Sequence, residues 1–138
     1  MKKLFIVIPI LFLILSCQVE GELTKSVGDN EIASNAILKY YGTFEPTGGI
    51  NVSGEAKIYL EGSQYKVKLD NFSISDGPDL KVYLSKSSSP SEFVNLGNLT
   101  SQTVYPIPQS VNVTNYSHVL IHCQQYSHLF AIAELIQN

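Results

Sequence analysis

The residues of this 138-residue chain best suited to chemistry are its two cysteines and three histidines. Cys123 lies between His118 and His122 on one side and His128 on the other, so a thiol and three imidazoles share one short stretch. A thiol acts as nucleophile, redox group or metal ligand through its thiolate, and a neighbouring cation is what favours that form. Val119-Leu120-Ile121-His122-Cys123 is apolar enough to be a central strand. In an extended strand, Val119, Ile121 and Cys123 share one face, while His118, Leu120 and His122 share the other. His122 therefore points away from Cys123. His128 is the better candidate neighbour, because a turn over Gln124 to Ser127 returns the chain towards the thiol. The chain contains no arginine to take that role. The alternative is that Cys123 is a small buried core residue.

Larger constellations around Cys123 are incomplete. Cys123, four residues, His128, three residues and Ile132 resembles the ligand spacing of azurin-like blue-copper proteins, which also need a second histidine and a weak axial ligand. Ile132 occupies the axial position, and His118 and His122 stand on the opposite strand face, about 13 Å apart. That geometry does not close, so no metal site is expected. Haem needs an axial ligand and an apolar pocket, and Cys123, His118, His122 and His128 are all chemically able to ligate it. No Cys-x-x-Cys-His motif is present, so any haem would be held non-covalently. Asp70, Asp76 and Asp79 fall at turns or strand ends, where bonding to the backbone accounts for them. No serine or cysteine with a placed base indicates a hydrolase. Sequons at Asn51, Asn71, Asn98, Asn112 and Asn115 are a by-product of an Asn- and Ser-rich β protein.

Cys17 belongs to a different signal. Met1-Lys2-Lys3 is a positive start, and Leu4 to Leu15 is an apolar run interrupted by Pro9, too short to span a bilayer comfortably. Ile14-Leu15-Ser16-Cys17 resembles the bacterial lipobox, in which the cysteine is acylated and becomes the first residue of the mature chain. This divides the sequence into a signal peptide over 1–16, a lipidated N-terminus and tether over 17–39, and a single domain over 40–138. Without Lys2 and Lys3, 9 − 2 = 7 lysines face 12 carboxylates, a formal charge of −5. A nucleic-acid role is excluded by that balance and by the lack of arginine. Electrostatic docking on anionic lipid is equally disfavoured, so lipid on Cys17 must do the holding. An acylated Cys17 also leaves Cys123 without a disulfide partner in its own chain.

The elements that must position Cys123 read as strands. Ala56, Ile58 and Leu60 alternate with Lys57, Tyr59 and Glu61, and Tyr65, Val67 and Leu69 alternate with Lys66, Lys68 and Asp70. A period of two marks half-buried strands, and Gly62-Ser63 between these runs predicts a hairpin. Ser75 to Asp79 is a turn before the apolar run Leu80 to Leu84. Val119 to Cys123 and Leu129 to Ala133 form a second pair, and Ser85 to Ser91 is a loop. Asn30 is expected to cap a short helix over Glu31 to Lys39, with Ile32, Ala36 and Ile37 on one side. Six or more short strands predict an all-β fold, an antiparallel β-sandwich or flattened barrel.

Ordered blocks then suggest a family. They are Gly42-Thr43-Phe44, Val52-Ser53-Gly54-Glu55-Ala56, Leu69-Asp70-Asn71-Phe72, Gly77 to Ser85, Asn95 to Leu99, Tyr105-Pro106-Ile107-Pro108, and His118 through Cys123 to Leu135. Together they resemble the DM-thirteen domain, a small extracytoplasmic module often found with DOMON-type redox domains. The resemblance implies a β-sandwich-like fold whose near-invariant cysteine is Cys123. It also implies electron transfer through a bare thiol or a prosthetic group such as haem, with Cys123 as redox thiol and Cys123 and His128 as cofactor-binding residues. His122 stands where members often carry tryptophan, and Ile50-Asn51 where a histidine is common.

Two functional expectations follow. In the first, the chain is a redox module of the bacterial cell envelope, lipid-anchored at the outer membrane or cell surface. It is an accessory rather than an enzyme, and it exchanges electrons with a redox or envelope protein. In the second, it is a non-catalytic binding or structural module in which Cys123 only packs. Gln18, following the lipidated residue, lacks the acidic side chain that marks inner-membrane retention in enteric bacteria.

Overall fold

A computed structural model describes residues 30–138. The expected signal peptide, Cys17 and most of the expected tether lie outside those residues. Nine strands form the described chain: β1 (Ile37–Pro46), β2 (Val52–Glu61), β3 (Gln64–Ile74), β4 (Leu80–Ser85), β5 (Phe93–Asn98), β6 (Val104–Pro106), β7 (His118–Cys123), β8 (His128–Glu134) and β9 (Ile136–Gln137). They pair antiparallel in the order β5-β4-β7-β8-β1-β2-β3-β6, with β9 added to β1. The sheet curls until its outer strands approach each other, so the fold is a nearly closed antiparallel barrel. At the remaining seam, the Tyr105 hydroxyl of β6 lies 3.2 Å from the carbonyl of Asn98, the last residue of β5. A barrel of this size is filled by its own side chains. The core brings together Ile58, Val67, Leu69, Val82, Leu84 and Ile121, each 2% exposed or less.

The alternation read from the sequence puts Ala56 and Ile58 of β2 and Val67 and Leu69 of β3 on the inner face. The turn at Gly62 joins these strands in register, Glu61 opposite Gln64 and Ala56 opposite Leu69. β4 and β7 pair without interruption from Leu80 opposite Cys123 to Ser85 opposite His118.

The helix expected over Glu31 to Lys39 does not form. Residues 30–36 are irregular, and β1 begins at Ile37, crossing the expected domain boundary at residue 40. A helix this short is marginal on its own, whereas ladder bonds to β2 begin at Ile37 opposite Leu60. Ile37, placed on the apolar side of that helix, is instead 59% exposed. The segment before β1 is fastened by polar contacts. The Ala33 N–H donates to Glu61 Oε2 at 3.2 Å, and buried Lys66 donates to the Glu31 carbonyl at 3.4 Å.

Candidate functional site at the end of β7

Cys123 ends β7 at the barrel mouth shared by the β3–β4 and β7–β8 turns. Its inner face is the one expected from strand parity: it packs in the core with Val119 and Ile121 and is 1% exposed. The Gln124 N–H donates to the Asp79 carbonyl at 3.0 Å, tying the strand end to the turn before β4. That turn lies flat on the core, because a Cβ on Gly77 would meet Leu80 Cδ2 at 2.8 Å and Phe130 Cζ at 3.0 Å. Leu80 is also the β4 partner of Cys123. The sulfur is thus covered by this turn and by the core.

The turn over Gln124 to Ser127 does return His128 to Cys123, and the two residues are cross-strand partners. The His128 side chain remains exposed and sets its ring edge-on to Phe130 at 5.0 Å. His118 lies at the other end of β7, with Nδ1 2.7 Å from Ser117 Oγ. His122 occupies the outer face. Its ring stacks on Tyr83 at 5.3 Å, and Tyr83 stacks on Phe93 at 4.0 Å. His122 is 8% exposed, and its Nδ1 has no hydrogen-bond partner among the described residues. Burial, and secondarily the nearby His128, lowers the His122 pKa. Burial likewise raises that of Tyr83. The sequence reading placed His122 opposite the thiol but missed the Tyr83–Phe93 stack. The alternation of Lys81 and Tyr83 with Leu80, Val82 and Leu84 marks an outer face, but only register aligns it with His122.

A pocket able to enclose most of a haem-sized ligand measures hundreds of cubic ångströms. The cleft at this mouth, of about 470 Å³, is an open one lined mainly by turn residues such as Ser75, Asp76, Asp79 and Thr100. Leu80 forms part of its wall, while Cys123 lies in the filled core. The residues around Cys123 therefore do not fit a haem. Ile132 pairs with Leu120, on the face opposite the thiol, because a register shift between Ile121 and His122 absorbs an extra residue of β8. Among the described residues, no three His, Cys, Asp or Glu side chains gather to hold a metal ion.

Residues 44–135 match the electron transfer DM13 family. The chain belongs to this family. No curated protein and no solved structure matches it. The DM13 segment runs from Phe44, packed edge-on against Phe72 at 5.1 Å, to Leu135 just beyond β8. It therefore contains β2 to β8 whole, including the wall that carries Cys123 and His122.

Proposed function

We propose that this DM13 protein is an electron-transfer accessory of the bacterial cell envelope, held by lipid on Cys17 and acting through Cys123 as a bare thiol. The observation that carries this reading is the position of Cys123. It is the barrel's cysteine, at a strand end beside a turn, within the segment that defines an electron-transfer family. Its chemistry is thiol–disulfide exchange with a redox protein. The Cys123 thiol loses its proton and attacks a partner disulfide, one partner sulfur leaves as thiol, and a mixed disulfide remains. A second thiol from outside the barrel then resolves it. Because Cys123 is 1% exposed, exchange requires the mouth to open. His128, the exposed cross-strand partner, is the imidazole placed to meet the opened sulfur.

The same burial supports a second reading, a binding or structural module in which Cys123 only fills the core. The full chain, equilibrated with glutathione redox buffers and read by peptide mass spectrometry, separates the two. Electron transfer predicts a mixed disulfide on Cys123 in the folded state and a Cys123→Ser variant that no longer exchanges electrons with its partner. A thiol modified only after unfolding, with partner binding unchanged in Cys123→Ser, leaves the packing role. Incorporation of labelled palmitate, abolished by Cys17→Ala, tests the anchor.

A further inference from the structure

His122 is the most poorly satisfied polar side chain of the wall that holds Cys123. Its Nδ1 lacks a partner among the described residues, and its ring lies against Tyr83 with 8% of the residue exposed. A charged imidazole in that position would have no acceptor for its Nδ1 proton, and an unpaired buried charge is strongly disfavoured. Its surroundings offer little compensation. On β4 the facing groups are Lys81, its register partner, and Tyr83. Asp79 is already engaged by Lys81 at 2.9 Å, and Lys81 also donates to the Asn98 side chain of β5. On β8 the titratable neighbour is His128, beyond the apolar register partner Leu129. Phe93 of β5 adds only a ring.

The ladder is also interrupted at this point. The β7–β8 register shifts between Ile121 and His122, leaving just His122 and Cys123 paired with β8 beyond the irregularity, so on that edge the strand end is weakly held. On the other edge Lys81 and Leu80 of β4 and the Gln124–Asp79 bond still hold it and must part on opening. Local opening begins where few bonds must break. We propose that protonation of His122 releases the mouth end of β7 and brings Cys123 into contact with solvent. The closed state holds a neutral ring on Tyr83. The open state lets a charged ring reach water, and Cys123, the next residue, moves with it. The depressed pKa of His122 has the sign this requires, since acid then favours the state with the ring out. The value of such a switch for electron transfer rests on the reading of Cys123 given above. The opening itself does not.

Alkylation of Cys123 in the full chain by iodoacetamide, followed by peptide mass spectrometry from about pH 7.5 to about pH 5, tests the switch across the histidine range. Dividing each rate by the rate in concentrated urea at the same pH removes the titration of the thiol itself. The expected ratio for the unsubstituted chain rises as pH falls below 6.5, by up to about tenfold per pH unit. In His122→Phe, which keeps a ring on Tyr83, the ratio is flat. His122→Gln serves the same purpose if the phenylalanine variant does not fold. A flat ratio in the unsubstituted chain, or an equal rise in the variants, overturns the switch without touching the redox reading. A rise confined to the unsubstituted chain, with no exchange in glutathione buffers, supports the switch and sinks the redox reading instead.

Discussion

His122 and Cys123 are sequence neighbours that occupy opposite sides of one barrel wall. The sulfur lies in the core with Val119 and Ile121, and the imidazole lies outside on Tyr83. Strand parity alone dictates the division. What parity cannot dictate is that both sides are nearly closed to solvent, at 1% and 8% exposure. Both residues end the same strand, next to the same irregularity of β8.

The inner position sets how Cys123 responds to substitution. Cys123→Ala should cost about 1–2 kcal/mol, through a small cavity in a core that is otherwise filled. Cys123→Ser should cost more, about 1–3 kcal/mol, because it buries a hydroxyl among apolar side chains. Urea unfolding of both variants gives the order. A serine variant as stable as the alanine variant would mean that water already reaches the sulfur.

Gly42 allows β1 to change partners. β1 pairs with β2 through Thr43 and with β8 from Phe44, and β9 joins it at Tyr40 and Tyr41. At that junction a Cβ on residue 42 would stand 2.1 Å from the Glu134 carbonyl oxygen and 2.8 Å from its carbon. Those are backbone atoms and cannot swing away. Gly42→Ala should therefore destabilise by about 3 kcal/mol, the upper range for overpacking. Gly48→Ala, where a Cβ meets nothing within 4 Å, is the matched control and should be near neutral. Thermal unfolding of the pair checks the difference, and equal melting temperatures would rule out a close β1–β8 approach.

The strands were legible where burial follows a simple period. Ala56, Ile58, Val67 and Leu69 announce the β2–β3 hairpin and all four face the core. The segment before β1 was misread because Ile32, Ala36 and Ile37 fit a helical face, yet long-range pairing to Leu60 decides Ile37. Neighbour order was not legible, since local pattern does not show that β1 lies between β8 and β2. The same limit applies to the site. Parity separates His122 from Cys123, and the turn returns His128. The Tyr83–Phe93 stack, however, depends on register between β4 and β5, and its contact with His122 on that between β4 and β7.

Lys66 and Glu61 should respond asymmetrically. Lys66 is 4% exposed and lies 3.2 Å from a Glu61 carboxylate whose side chain remains 23% exposed. Glu61→Gln leaves a buried ammonium without its counter-charge and also weakens the acceptor for the Ala33 N–H. The protein should be destabilised, but by less than loss of a fully buried partner would cost, because water still reaches the carboxylate. Lys66→Met removes the buried charge itself and should cost less than about 1 kcal/mol. Hydrogen exchange at Ala33 should rise in Glu61→Gln and stay near its original rate in Lys66→Met. The reverse order would mean that Lys66 is solvated in solution.

Stability should fall with acid in two separate stages. The His122 pKa is lowered on folding, chiefly by burial, so the unfolded chain takes up that proton first. Stability is then full above the ordinary histidine value of 6.5 and declines below it until the folded ring also titrates, by at most about 1.4 kcal/mol per pH unit. The second stage belongs to carboxylates. The Lys57 hydrogen bond at 2.6 Å lowers the Asp70 pKa, and the Ala33 N–H leads the lowering of Glu61. Their contributions are present above 3.8 and 4.5 respectively and are lost as pH falls further. The Lys57–Asp70 pair lies at the surface, so its share is under about 1 kcal/mol. Urea midpoints across a pH series should show His122→Phe abolishing the upper stage while keeping the lower one, and Asp70→Asn doing the opposite to its part. An unsubstituted protein equally stable at about pH 5 and about pH 7 would mean that the His122 ring is not held neutral in the folded barrel.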